Sequence, residues 1–367
     1  MPSFPDLFMR WIKGMFTSGN KRSHVLLLMA GTVLIAAVCP ARGWHGPGHE
    51  RATLRAAGML PADTPAFFVE GADTIAHCAK DPDLFRKPLA GEQAHAAEAP
   101  QHYFDRELLD GTPISPTRED FIQGCAAKGI KPSAIGFVPY ATAEWTQRLT
   151  VALAEHRKWP NNPHIQHKCL VYAGLLSHYA QDLCQPLHTT IHYNGRANPD
   201  GTSPRSGIHV KVDALLQKLE PAELPAGTAE ATAFDDLMSG VLEELRKSHR
   251  LVDRVYELEG LLPALDAPLP SDPDVRQFVA ERLNSAALFT ARLYATAWRD
   301  SADVELPAWH RRAAGTPALP AQRDSEQPDA SWRLWAAGAA GFVLGTLLVG
   351  LLLRRRKHGE AGESDSA

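Results

Sequence analysis

The sequence predicts an all-α protein. Long stretches place apolar residues at helical spacing, and alternating strand patterns bounded by hairpin turns are scarce. Hydrophobic residues make up 44% of the 367, enough for a packed core, and 22% are charged, which excludes wholesale disorder. The net charge of −4 argues against a protein that holds nucleic acid by bulk positive charge. Five cysteines are too few for a small disulfide scaffold.

Taken in order, residues 1–43 read as a secretory signal. Lys21 and Arg22 precede an apolar run over 25–39, and Ala41-Arg42-Gly43 puts small residues at −3 and −1 of a cleavage site before Trp44. Residues 44–305 read as a single helical domain with no internal repeat. Helices are expected over 140–158, where Trp145, Leu149, Val151 and Leu153 fall near one face, and over 168–182, 208–219, 229–248 and 273–299. Pro307, Pro317, Pro320 and Pro328 mark residues 306–333 as a Pro/Ala-rich stalk. Residues 334–353 form an uncharged run of bilayer length, flanked by Trp332 and Trp335 and followed by Arg354-Arg355-Arg356-Lys357. That pattern predicts a C-terminal transmembrane helix with residues 354–367 as a cytoplasmic tail. The domain would then stand on the outer face of the membrane, periplasmic or extracellular. The exterior region, 44–333, carries 29 Lys and Arg against 38 Asp and Glu, so any anion it binds needs a local source of positive charge.

Candidate chemistry concentrates in SHYAQDLCQPLH. His178 and Asp182 stand four apart and share one helix face. Pro186 stops that helix, so His188 comes from the next turn and can point back. His209 and Asp213 repeat the four-residue spacing in GIHVKVD. Imidazole and carboxylate one turn apart can chelate zinc without strain. Upstream, His49 stands in WHGPGHE, Asp73 in GADTIAH and His102 in QHYFD.

This order of residues resembles the trinuclear zinc hydrolases, the superfamily that joins bacterial zinc-dependent phospholipases C to single-strand nucleases of the nuclease P-one type. The resemblance covers Trp44 to Asp213 by motif. It implies an all-α fold and three Zn²⁺ per chain. Asp73, His102, His178 and Asp182 would hold one zinc, and His188, His209 and Asp213 a second, more open one. His49, Asp182 as a bridge, and the α-amino group and carbonyl of Trp44 would hold the third. An α-amino group binds metal only when free, so the resemblance makes signal cleavage a condition of activity. Asp73 would also stand beside the attacking water as the catalytic carboxylate.

Zinc ions in such a cluster stabilise the attacking and leaving oxygens of a phosphate ester. The expected function is therefore a membrane-anchored phosphoric ester hydrolase. Its substrate would be single-stranded nucleic acid, nucleotide or phospholipid, and no obligate protein partner is indicated. The alternative is an anchored, non-catalytic metal-binding or interaction protein. GIHVKVD is closer to the phospholipases, and the loop after Pro-Leu-His lacks the Gly-Gly-Asn common in the nucleases. Phe67, Phe68, Phe104 and Tyr193 are candidates for stacking on a base. Cys78, Cys125, Cys169 and Cys184 remain after signal removal. In an oxidising exterior they permit two disulfides in any of three connectivities.

Overall fold

A computed structural model describes residues 44–89, 91–220 and 230–310. The chain divides into two compact units, Met1–Arg311 and Arg312–Ala367, and every described residue belongs to the first. The signal, the transmembrane run, the tail and the stalk beyond residue 310 lie outside the described residues. Among the described residues no helix is long and apolar enough to cross a membrane.

The described chain is helical throughout, with two isolated bridges, Phe104 to Gly136 and Tyr193 to Gly195, and no strand. Helices α1 (Gly46–Ala57), α2 (Ala66–Glu70), α3 (Ala72–Cys78), α4 (Asp81–Phe85) and α5 (Glu92–Glu98) come first. Helices α6 (Arg118–Ala127), α7 (Pro132–Ile135), α8 (Val138–Lys158), α9 (Pro163–Leu183) and α10 (Ile208–Asp213) follow. The chain ends in α11 (Leu237–Arg250), α12 (Val252–Glu257) and α13 (Pro273–Asp300). Short 3-10 turns at Ala99–His102, Arg106–Leu109, Pro186–His188 and Leu216–Lys218 link these elements.

Helix α9 is the axis of the bundle. Asn162 caps it, its side chain accepting from the His164 and Ile165 N–H groups, and Pro163 opens the first turn, where no donor is needed. From Ala173 to Leu183 every residue is buried, because α8, α3, α13 and α1 pack around it. Helix α13 starts in the same way, from Asp272 and Pro273, and lies against α1, α8 and α9. Helix α11 buries Val241, Glu244, Leu245 and Ser248, a 3–4 spacing that lays one face on α8. Each fully buried large side chain, such as Leu149, Leu176 or Val279, contributes about 1.5–3 kcal/mol.

Two expectations change. The helix expected over 208–219 breaks after Asp213, where Leu215 N–H bonds the Val212 carbonyl and the chain tightens into a 3-10 turn. The helix expected from 229 begins at Leu237. Residues ahead of it are held out of helix by tertiary bonds, Ala231 N–H to the Met59 carbonyl and Phe234 N–H to Thr296 Oγ1, until Asp236 caps the first turn. The four described cysteines are buried free thiols, so no disulfide staples this unit. Cys184 lies 3.6 Å from Glu244 Oε1 and ties α9 to α11.

Helix α3 approaches α9 through Gly174, where a Cβ would stand 2.4 Å from Cys78 Cβ and 2.7 Å from the Ile75 carbonyl oxygen. Gly174→Ala is expected to cost about 1–3 kcal/mol through overpacking. Urea unfolding measures it, and an unchanged midpoint would show that the two helices can separate at no cost.

Candidate metal centre

Asp182, the last residue but one of α9, is fully buried, and four histidines from four segments converge on it. His102, closing the 3-10 turn at Ala99–His102, puts Nδ1 2.9 Å from Asp182 Oδ2. His178, one turn earlier on α9, puts Nε2 3.3 Å from the same oxygen. His49 on α1 and His188 on the turn after α9 each approach Oδ1 at 3.6 Å. Burial would raise the Asp182 carboxyl, but His178 and His188 hold it well below the carboxylate range, so it is ionised.

The histidines are oriented by what their Nδ1 atoms face. In His178 Nδ1–H donates to the Ala79 carbonyl at 2.8 Å, in His188 to the His102 carbonyl at 2.6 Å, and in His209 to the Tyr193 carbonyl at 3.1 Å. In His49 it donates to Gln181 Oε1 at 2.8 Å, and Gln181 Nε2 donates to Thr53, which fixes the amide. A carbonyl only accepts, so in each of these rings the proton sits on Nδ1 and Nε2 carries the lone pair. Metal-ligating histidines are commonly held in this way. Burial and the neighbouring His178 push His49 down to about 3, which keeps it neutral and ligand-ready.

The donor atoms fall into three groups, each within 4.8 Å: His49, His178 and Asp182; Asp83, His102 and His178; His188, His209 and Asp213. His49 Nε2, Asp182 Oδ1 and Asp213 Oδ2 are buried with no hydrogen-bond partner. His209 Nε2 stands 3.2 Å from Asp213 Oδ2, lone pair towards lone pair. A buried polar atom without a partner costs about 1–3 kcal/mol. Cations between these nitrogen and oxygen donors would satisfy them together, and the donor set suits zinc. The residues therefore fit the metal group.

The structure places eight of the nine expected residues at or beside this centre. Trp44 is fully buried, its indole N–H donating to the Gln181 carbonyl at 3.0 Å, and His45 N–H bonds the Asp213 carbonyl, so the start of α1 is tied beside both carboxylates. Asp73 is the exception and corrects the sequence reading. It is exposed in the first turn of α3 and belongs to none of the three groups. Asp83 on α4 takes that place. Burial would raise it, but Arg86, with Nε 2.7 Å from Asp83 Oδ1, and His178 hold it down to about 2. The sequence reading missed Asp83 because it stands in a five-residue helix with no histidine partner at chelating spacing. Its only local signal was Arg86, three residues on.

A cavity of about 210 Å³ opens on His102, His188 and His209 and is further lined by Arg86, Tyr103, Asp105 and Tyr193. Of the stacking candidates only Tyr193 faces it. Phe68 and Phe104 are core, and Phe67 packs on His156. Tyr103 was also missed. Gly136 backs that segment at φ +100°, where a Cβ would strike the Tyr103 carbonyl. Arg86 is buried, and its Nη2 has no hydrogen-bond partner. Burial, then Glu107, raises the Asp105 carboxyl to about 8, so at neutral pH it is an acid. The unfolded chain releases that proton near pH 4, so stability falls as pH rises from about 4 to 8. Asp105→Asn, which cannot ionise, is expected to melt several degrees above the parent at about pH 9 and to match it near pH 4. A constant difference across that range would contradict the assignment.

No family model matches this chain, and no curated protein matches it. Among solved structures, the alpha toxin from Clostridium absonum is similar at 14% identity and a TM-score of 0.41. The match covers 72% of this chain and 64% of the toxin's.

Proposed function

We propose that this chain is a zinc-dependent phosphoric ester hydrolase of the trinuclear zinc kind. We also propose that it is exported through residues 1–43 and held at the outer face of the membrane by residues 334–353. The observation that carries the reading is the set of buried, partnerless donor atoms on His49, Asp182 and Asp213, beside a cavity with a buried arginine in its wall. Structural zinc sites are closed. Here His102, His188 and His209 line an open cavity, which favours catalysis over the non-catalytic alternative.

Bound zinc would supply Lewis-acid activation of water and of the phosphate oxygens. The chain supplies the rest. Asp83, Asp182 and Asp213 bring three negative charges against which metal is held. Arg86 Nη2, lacking a protein partner, is placed to donate to a phosphate oxygen in the cavity. Tyr103 and Tyr193 give flat apolar surface. The Asp105 carboxyl can pair with the edge of a heteroaromatic base, and with two tyrosines to stack on that base the cavity favours a nucleotide-bearing ester.

The test uses protein beginning at Trp44, with metal content measured and single-stranded DNA, RNA, a nucleoside 3′-phosphate and phosphatidylcholine assayed together. Three zinc ions and cleavage of a nucleotide substrate, lost on chelation, are expected. Full metal with no hydrolysis would leave a binding protein. Asp182→Ala should lose more than one equivalent of metal. Asp83→Asn should lose metal and lower kcat/KM at least about tenfold, whereas Asp73→Asn should leave both unchanged. An extra Met before Trp44 should reduce metal content if the α-amino group is a ligand, and unchanged content would remove it from the set.

A further inference from the structure

We propose that a second cavity, behind the wall of the first, is an anion subsite for a flanking phosphate of a substrate that carries several phosphates in a row, as single-stranded nucleic acid does. This rests on the hydrolase reading and narrows its substrate class. The cavity has a volume of about 360 Å³ and is lined by Arg106, Glu107, Leu109, Leu242, Arg246 and His249 among others. Asp105 lines the first cavity and Arg106 the second, so adjacent residues on one segment serve both.

Three features point to an anion. Arg106 is half-buried, and its guanidinium has no hydrogen-bond or ion-pair partner among the described residues, so it is partly desolvated without compensation. Arg246 and His249, three apart on one face of α11, join it. Arg246, exposed along its length, is ion-paired with Glu243 at 3.2 Å. The one carboxylate of the lining, Glu107, is already engaged by the Thr190 hydroxyl and by Ile191 N–H at 3.1 Å. Two arginines thus face one compensated carboxylate. The apolar floor of Leu109 and Leu242 suits the uncharged part of a nucleotide.

The cavity is also tied to the metal centre. The Thr189 carbonyl, next to His188, accepts from His249 Nδ1 at 2.9 Å and from Arg106 N–H at 3.5 Å. A phosphate held here is therefore in fixed register with the one being cut. A phospholipid, with a single phosphate and long acyl chains, has no group for it.

The experiment compares the full chain with Arg106→Ala, Arg106→Lys and the Arg106→Ala/Arg246→Ala pair. Substrates are a single-stranded oligonucleotide and a nucleoside 3′-phosphate, and oligonucleotide binding is read separately by fluorescence anisotropy. The pair should raise KM for the oligonucleotide about tenfold or more with kcat unchanged. It should flatten the salt dependence of binding by about 0.7 per lost phosphate contact and leave the monophosphate untouched. Arg106→Lys should recover part of the loss. Equal losses on both substrates, or none on the oligonucleotide, would overturn the subsite. Oligonucleotide binding that depends on Arg106 without any cleavage would keep the subsite and sink the hydrolase reading. Cleavage of phosphatidylcholine with no oligonucleotide binding would sink the subsite alone.

Discussion

A single negative charge governs this structure. Asp182 is fully buried in the central helix of the bundle, where an ionised carboxylate costs several kcal/mol unless it is compensated. No lysine or arginine reaches it among the described residues. Its surroundings are His49, His102, His178 and His188, drawn from α1, α9 and two short turns. Against its burial, Asp182 in turn pulls the His178 imidazole up, and rings locked by carbonyl acceptors aim Nε2 inward. A cation held among these atoms would compensate the carboxylate, and its binding would then be coupled to folding through this residue.

The shell that orients the rings is built from the ends of helices. A helix leaves its last carbonyls without intrahelical donors. Ala79 is the C-cap of α3, and His102 closes a 3-10 turn. Their free carbonyls take the Nδ1–H groups of His178 and His188. Gln185, just past α9, performs the same service for a carboxylate, donating to Asp213 Oδ1 at 2.7 Å. The many short helices around α9 thus supply acceptors at the places where ligands need fixing. A bundle of long helices alone would have none to spare at its middle.

The same distinction decides what could be read in advance. His178 with Asp182 and His209 with Asp213 were legible, because a four-residue spacing on a helix is a geometric statement. Helices over 140–158, 168–182 and 273–299 were legible from apolar periodicity; the structure runs them over Val138–Lys158, Pro163–Leu183 and Pro273–Asp300, the last two opened by the caps Asn162 and Asp272. Asp83, Arg86, Tyr103 and Asp105 were not. They lie in one-turn helices and extended links, where no period exists and position depends on contacts such as Asp105 N–H to the Ile135 carbonyl. Asp73 misled because its local context, Ala-Asp, carried the resemblance while its side chain faces solvent.

Charge closes the argument. The region from 44 to 333 is strongly acidic, yet the cavity walls hold Arg86 and Arg106, neither paired fully by the protein, and Asp105 is held neutral. At physiological salt, exposed charges are screened beyond about 8 Å, so the acidic surface does not prevent an anion from entering. Inside the cavities screening is weaker, and on the proposed reading the few cations there would decide binding. An anionic substrate would then be selected by local geometry, by where its phosphates fall relative to Arg86, the candidate metal centre and Arg106, and only weakly by attraction to the whole molecule. Such a site would discriminate among phosphate esters by the spacing of their charges, which a uniformly basic surface cannot do.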